Sequence, residues 1–196
     1  VLVALEQGER SFTFMIRPSA DLMLEKNDLP RWHRGEWLHL CSMALSAEPS
    51  RSSAWAAMSA QRHAGGFGSF DSNIRHDLWP DTRRLQECLQ QALQLADVVK
   101  LSEDELTFIS GQPLSDRGIR TLAAENDIRL LLVTRGADGA AVFWRGAVCH
   151  FPGRPDRQRG VVGQPVEFGG RPIKKKKTHS AIDYVYNKIT LKRSNL

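Results

Sequence analysis

The sequence predicts an α/β fold, a mostly parallel sheet covered by helices on both faces. Two observations carry this. From Trp37 to Gly146, short apolar runs alternate with amphipathic stretches, the order of repeated strand–helix units. The runs are apolar along most of their length, as strands covered on both faces are.

Residues 1–5 (VLVAL) and 10–16 (RSFTFMI) read as two strands joined at Gln7-Gly8, with an alternation suited to a sheet wet on one face. Arg17-Pro18 ends the second, because proline cannot donate to a ladder. WLHLCSMAL (37–45) reads as a buried strand, and Glu48-Pro49-Ser50 starts a helix over 51–63. GGFGSFD (65–71) is the next strand. Asp81 to Leu95 carries Leu85, Leu89 and Leu93 at helical spacing. ADVVKLS (96–102) is a strand and SEDELTFISG a short helix, with Ser102 as its cap, Glu105 at the capping-box position and Gly111 as its stop. Ser115 to Asn126 is a helix with Ile119, Leu122 and Ala123 on one face. IRLLLVTRG (128–136) and AAVFWRG (140–146) are strands, the second turning antiparallel at Asp138-Gly139.

The net charge of +5 is unevenly placed: residues 1–150 hold 16 Lys/Arg against 19 Asp/Glu, and residues 151–196 hold 11 against 3. The basic character therefore belongs to the tail and says little about what the body binds. That tail, residues 154–196, is rich in Gly, Pro and Arg and has no sustained period, which predicts irregular chain, with DYVYNKITLK (183–192) a marginal strand. The run Lys174–Lys177 has no interleaved aromatic residues to stack bases, which argues against a nucleic-acid site. No apolar run approaches 18 residues, and the start breaks into charge after five, so neither a membrane span nor a signal peptide is expected and the protein is placed in the cytoplasm. Cys41, Cys88 and Cys149 form no CxxC pair and read as buried free thiols; the six histidines form no HExxH pair.

In a parallel α/β sheet, ligands bind beyond the carboxyl ends of the strands. Three loops carry polar residues there: 71–75 (DSNIR), 100–105 (KLSEDE) and 134–139 (TRGADG). A phosphoryl-transfer site needs phosphate donors, a carboxylate to help organise Mg²⁺, and small residues where backbone approaches nucleotide. Arg75 and Lys100 suit the first, Glu105 the second, and Gly136 with Gly139 the third. Asp, Ser and Gly also end strands simply to cap helices and make turns.

The runs GERSFTFMIRPSAD, EWLHLCSMALSAEPSR, FDSNIRHDLW, LADVVKLSEDEL and LLVTRGADGA resemble, in order and without large gaps over about residues 1–153, the fructokinases of the PfkB (ribokinase-like) carbohydrate kinase family. The resemblance implies a ribokinase-like three-layer α/β/α kinase domain, incomplete at both ends, with 1–17 as the strands of a β-lid over the sugar and 36–153 as the α/β core. It implies ATP and Mg²⁺ as cofactors, a sugar, fructose, as substrate, and a homodimer paired through the lids. Arg17, Asn73 and Arg75 match sugar-facing positions, the last two in a D-P-N-x-R loop where Ser72 replaces proline. Ser102 and Glu105 fall on an N-x-x-E motif that organises Mg²⁺ and phosphates, with serine in place of asparagine. Thr134, Gly136 and Gly139 match the T-x-G-x-x-G turn beside the ATP phosphates, and Lys100 stands near those phosphates.

In that family an aspartate of a D-T-x-G-A-G-D segment is the base, and the amides of its glycines form an anion hole. The segment is due about ten residues after Gly153, where this chain reads RPDRQRG, and no G-A-G-D occurs in the 196 residues. A truncated or frame-shifted gene explains the tail most simply; an alternative C-terminal domain is the other origin. The sequence thus predicts a fructokinase-like chain impaired in catalysis, with a non-catalytic binding module whose basic tail contacts nucleic acid or acidic lipid as the alternative.

Overall fold

The computed structural model describes residues 2–6, 9–13 and 20–153, the first two stretches as backbone. Arg17, the 154–196 tail and the strand expected at 183–192 lie outside the described residues. Leu2–Glu6 (β1) and Glu9–Thr13 (β2) pair antiparallel as a separate two-stranded hairpin, in register from Leu2 opposite Thr13 to Glu6 opposite Glu9.

Six further strands form one sheet in sequence order: Trp37–Cys41 (β3), Phe67–Asp71 (β4), Val98–Ser102 (β5), Leu130–Thr134 (β6), Ala140–Trp144 (β7) and Ala147–Phe151 (β8). The first four run parallel, β7 returns antiparallel to β6, and β8 is antiparallel to β7 and so runs with the first four. Between them stand helices Ser50–His63 (α1), Thr82–Leu95 (α2), Glu103–Ser110 (α3) and Asp116–Glu125 (α4). Their starts are chemically specified. The Asp81 carboxylate accepts the Arg83 N–H at 2.9 Å, and the Ser115 hydroxyl accepts the Gly118 N–H at 3.0 Å. Gly111 closes α3 in the left-handed conformation that glycine enters without cost (φ 67°).

Among the described residues the helices pack on one face of this sheet. Phe70, Val99, Leu101, Leu131, Val133 and Ala141 alternate along their strands, line up in register and are buried in a single core with Leu85, Leu89 and Leu93 of α2. Full burial of each leucine stabilises the fold by about 1.5–3 kcal/mol. The in-between residues Val98, Leu130 and Leu132 are half-exposed, and Trp37, Phe67 and Trp144 are 56%, 38% and 39% exposed. The reason is handedness. Right-handed crossovers between strands laid down in sequential order all step the same way and deliver every connecting helix to one side. A second helical layer is not among the described residues.

Other departures are local. The run 37–45 is a strand only to Cys41; residues 42–45 curl into a 3₁₀ turn. There the Ser42 hydroxyl donates to the Asn73 carbonyl (3.3 Å) and Ser46 to the Met43 carbonyl (2.9 Å), side-chain bonds that replace a ladder. Strands expected at 65–71, 96–102, 128–136 and 140–146 are each shorter: backbone bonds that close the ends of α1 and α2 (Gly66 N–H to the Gln61 carbonyl, Ala96 N–H to the Leu93 carbonyl) delay β4 and β5, the 135–139 turn ends β6, and the Arg145–Gly146 turn ends β7. Strand β8 was not expected: its mostly exposed residues carry no apolar period. It follows a two-residue turn with Arg145 and Gly146 both at positive φ (51° and 82°), the geometry that matches hairpin twist.

All three cysteines are free, but only Cys88 is buried; Cys41 is intermediate and Cys149 exposed. Burial pushes the Cys88 thiol up, away from its reactive thiolate. A thiol reagent should therefore label Cys149 immediately and Cys88 at least about a hundredfold more slowly, at the rate at which the core opens. Mass spectrometry of partially labelled chain checks the order.

Candidate functional site

The three polar loops meet at the carboxyl end of the sheet. Register places Cys41 beside Asp71, Asp71 beside Lys100, and Ser102 beside Thr134. The loop after β4 is drawn over β5 by the Ser72 N–H, which donates to the Lys100 carbonyl (3.2 Å). Asn73 turns this loop with φ at 32°, a left-handed conformation that asparagine tolerates better than most residues.

Glu105 holds two loops at once. The capping box expected from the sequence is complete: the Ser102 hydroxyl accepts the Glu105 N–H (3.1 Å), and Glu105 Oε2 accepts the Ser102 N–H (2.7 Å). Its other oxygen, Oε1, accepts the Ile74 N–H at 2.7 Å, from 31 residues away. The carboxylate thus fixes the backbone immediately before Arg75 to the start of α3. Both oxygens already accept a backbone N–H, so a direct Mg²⁺ bond would compete with this scaffold.

Lys100, expected near the phosphates, is turned toward β4. Its ammonium lies 2.9 Å from both oxygens of Asp71, a half-buried pair. It therefore anchors the residue that opens the 71–75 loop, and Asp71 joins the site as a member the sequence reading did not single out. Arg75 donates from Nη1 to the Ile74 carbonyl (3.2 Å), which holds the guanidinium beside its own loop.

The 134–139 turn is closed by its own backbone: the Arg135 N–H donates to the Gly139 carbonyl (2.8 Å) and the Asp138 N–H to the Arg135 carbonyl (3.0 Å). Thr134 donates its hydroxyl to the Leu101 carbonyl (3.3 Å), stitching β6 to β5. The Arg135 guanidinium reaches Glu103 at 3.5 Å, so turn and helix start are also linked by charge. Gly136 has φ 54°, and a Cβ there would meet nothing within 4 Å, so this backbone faces open space. Gly139 is the opposite case. A Cβ on it would collide with the Phe151 carbonyl oxygen and the Gly153 amide, and a Cβ on Gly153 would strike the Ala137 carbonyl. The two glycines pack backbone against backbone. Gly153 was missed as a site residue because it is 14 residues from its partner and just past the end of a strand that was not expected.

Eight of the nine residues singled out from sequence are thus placed around this edge: Asn73, Arg75, Lys100, Ser102, Glu105, Thr134, Gly136 and Gly139. The ninth, Arg17, lies outside the described residues. Among the described residues no group of three or more His, Cys, Asp or Glu could hold a metal ion, and no helix is long and apolar enough to cross a membrane.

The profile of the pfkB family carbohydrate kinases matches residues 1–162. The chain belongs to this family. Its relatives include a fructokinase of Escherichia coli, 67% identical over 154 residues that make up 78% of this chain and 50% of the relative. Another is a fructokinase of Klebsiella pneumoniae, 56% identical over 156 residues, or 79% of this chain and 51% of the relative. Among solved structures, a Vibrio cholerae fructokinase bound to fructose, ADP and calcium superposes with a TM-score of 0.70 at 42% identity, over 78% of this chain and 50% of that one. The ribokinase-like α/β fold is therefore shared. The chain spans about half the length of these relatives, and the pfkB match includes all three loops described above.

Proposed function

We propose that this chain carries the sugar-loop and nucleotide-turn half of an ATP-dependent sugar kinase that acts on fructose. The observation that supports this best is Glu105, whose carboxylate ties the Asn73–Arg75 loop to the start of α3 beside the open Gly136 turn. In this reading a sugar hydroxyl attacks the γ-phosphate of ATP. Arg75 and Asn73 orient the sugar side, and Arg75 adds positive charge where phosphoryl oxygens gain negative charge. Thr134, Gly136 and Gly139 give the nucleotide a turn that backbone can approach closely. Mg²⁺, when bound, neutralises phosphate charge; Ser102 and Glu105 act on it indirectly, by holding the helix start in place. Fructose and ADP occupy the Vibrio cholerae relative, which favours this pair of ligands here.

The 196 residues contain no D-T-x-G-A-G-D segment. A general base and an anion hole contribute about 10²–10⁴-fold and 10²–10³-fold respectively. A coupled ADP-release assay with fructose should therefore find this chain at least about 10⁴-fold below an intact kinase. Robust turnover by the 196-residue chain would overturn the impaired reading. Saturation-transfer NMR with ADP tests the nucleotide turn separately: contact should disappear in Gly136→Val, and its persistence there would remove the turn from the site.

A further inference from the structure

Helix α2 buries Leu85, Leu89 and Leu93, and its exposed side carries Gln86, Gln90, Gln91 and Gln94. These are four of the nine glutamines in the chain. Helix formation does not ask for them, because lysine, arginine or glutamate would serve an exposed position as well. With Glu87 of α2 and Ile109 of α3 they line a groove of about 580 Å³. That volume lies within the range of about 300–1,000 Å³ that bound ligands occupy. None of the residues of the site above lines it. The lining offers an anion no guanidinium or ammonium, and its one carboxylate, Glu87, is already held by Arg84 (3.2 Å) and Arg83 (3.8 Å). What remains is a row of primary amides, each with N–H donors beside a C=O acceptor. Gln90 is oriented from below: its Nε2 donates to Oδ1 of the buried Asn126 (2.8 Å), which itself donates to the Leu122 carbonyl (2.9 Å). One N–H and the carbonyl oxygen of Gln90 are thereby left for a ligand.

We infer that this groove is a binding site for an extended peptide segment, held by its backbone. Helical rise sets Gln86, Gln90 and Gln94 about 6 Å apart along one line. An extended chain turns the N–H and C=O of every second residue to the same side, about 6.7 Å apart. The two repeats match closely enough for each carboxamide to meet one residue of the segment. Carboxamide and residue then exchange N–H···O bonds in both directions, as paired strands do. About four or five residues span the row. The segment's side chains alternate, so those turned toward the protein find an apolar contact in Ile109. Neutral backbone suits a lining without free charge. A sugar would find hydroxyl partners here, but Ile109 is too small a surface to stack a ring.

NMR titration of the 196-residue chain with the peptide acetyl-Thr-Val-Thr-Val-Thr-N-methylamide tests this. The side-chain amide signals of Gln86, Gln90 and Gln94 should shift together and saturate. Gln86→Ala and Gln94→Ala stand at exposed positions and keep the helix, so circular dichroism should not change. Each removes two hydrogen bonds to the segment and should weaken binding about tenfold. The same peptide N-methylated at every residue has lost its donors and should not bind. Absence of saturation, equal binding of the methylated peptide, or unchanged affinity in both variants would each overturn the proposal. So would fructose moving the same signals, which would make the groove a sugar site. Two further results would also overturn it: shifts that depend on the concentration of the chain alone, which place a second copy there, and contacts from residues 154–196, which place the chain's own tail there. The readout is binding, so the outcome does not depend on whether the chain turns over sugar.

Discussion

Gly139→Ala should lower the melting temperature by roughly 10 °C and release the β7–β8 hairpin from the 134–139 turn. Two costs add. The residue sits at φ 98°, ψ −129°, a region that side-chain-bearing residues occupy at about 1–3 kcal/mol. The new methyl also meets fixed backbone: the Phe151 carbonyl oxygen, the Gly153 amide, and the Pro152 carbonyl carbon at 2.6 Å. Overpacking of this type costs about 1–3 kcal/mol or more, because no rotamer change relieves it. A total of about 4 kcal/mol in a domain of this size corresponds to roughly 8–16 °C. Gly153→Ala should cost somewhat less, because its obstacle is the Ala137 carbonyl and its backbone is outside the left-handed region. Gly136→Ala supplies the control. It is also left-handed, at φ 54°, but faces open space, so only the backbone penalty of about 1–2 kcal/mol applies. Thermal unfolding of the three variants decides: if Gly139→Ala is no worse than Gly136→Ala, the backbone contact across the turn is not what holds it.

The contrast between these glycines also shows what was legible in the sequence. Gly136 and Gly139 stand in a spaced motif and could be read locally. Gly153 gains its meaning only from β8, whose exposed residues leave no period to read. The same division runs through the site. The Ser102–Glu105 capping box joins residues three apart, so spacing alone specifies it, and Gly111 marks the helix end by the same local chemistry. The Ile74–Glu105 and Asp71–Lys100 bonds join residues 31 and 29 apart, and only strand register brings them together. The covering of each sheet face is not legible locally, for a different reason. Apolar runs such as Val98-Val99 and Leu130–Val133 look the same whether the second face is covered or waiting for cover. Strand order with crossover handedness decides this, and strand order is not a property of any one segment.

Glu105→Ala should destabilise the chain by about 3 kcal/mol and free the 71–75 loop. The carboxylate accepts two backbone N–H groups at 2.7 Å each, and hydrogen bonds to a charged acceptor contribute about 1.5–3 kcal/mol apiece. Ile74 is only 8% exposed, so its amide has little access to water once its partner is gone. Loss of the capping box alone, as in Ser102→Ala, should cost about 1 kcal/mol and leave the loop ordered, because that variant keeps Glu105 and its bond to Ile74. Glu105→Gln separates the two functions further. The amide has one carbonyl oxygen, so it can accept from Ser102 or from Ile74 in this geometry but not from each through its own oxygen. Hydrogen exchange at the Ile74 amide reports the difference directly. Protection should fall most in Glu105→Ala, partly in Glu105→Gln and least in Ser102→Ala. Equal protection in all three would mean that the loop before Arg75 is held by Lys100 and Asp71 rather than by Glu105, and the ion pair, not the capping box, would be what joins the two sides of the site.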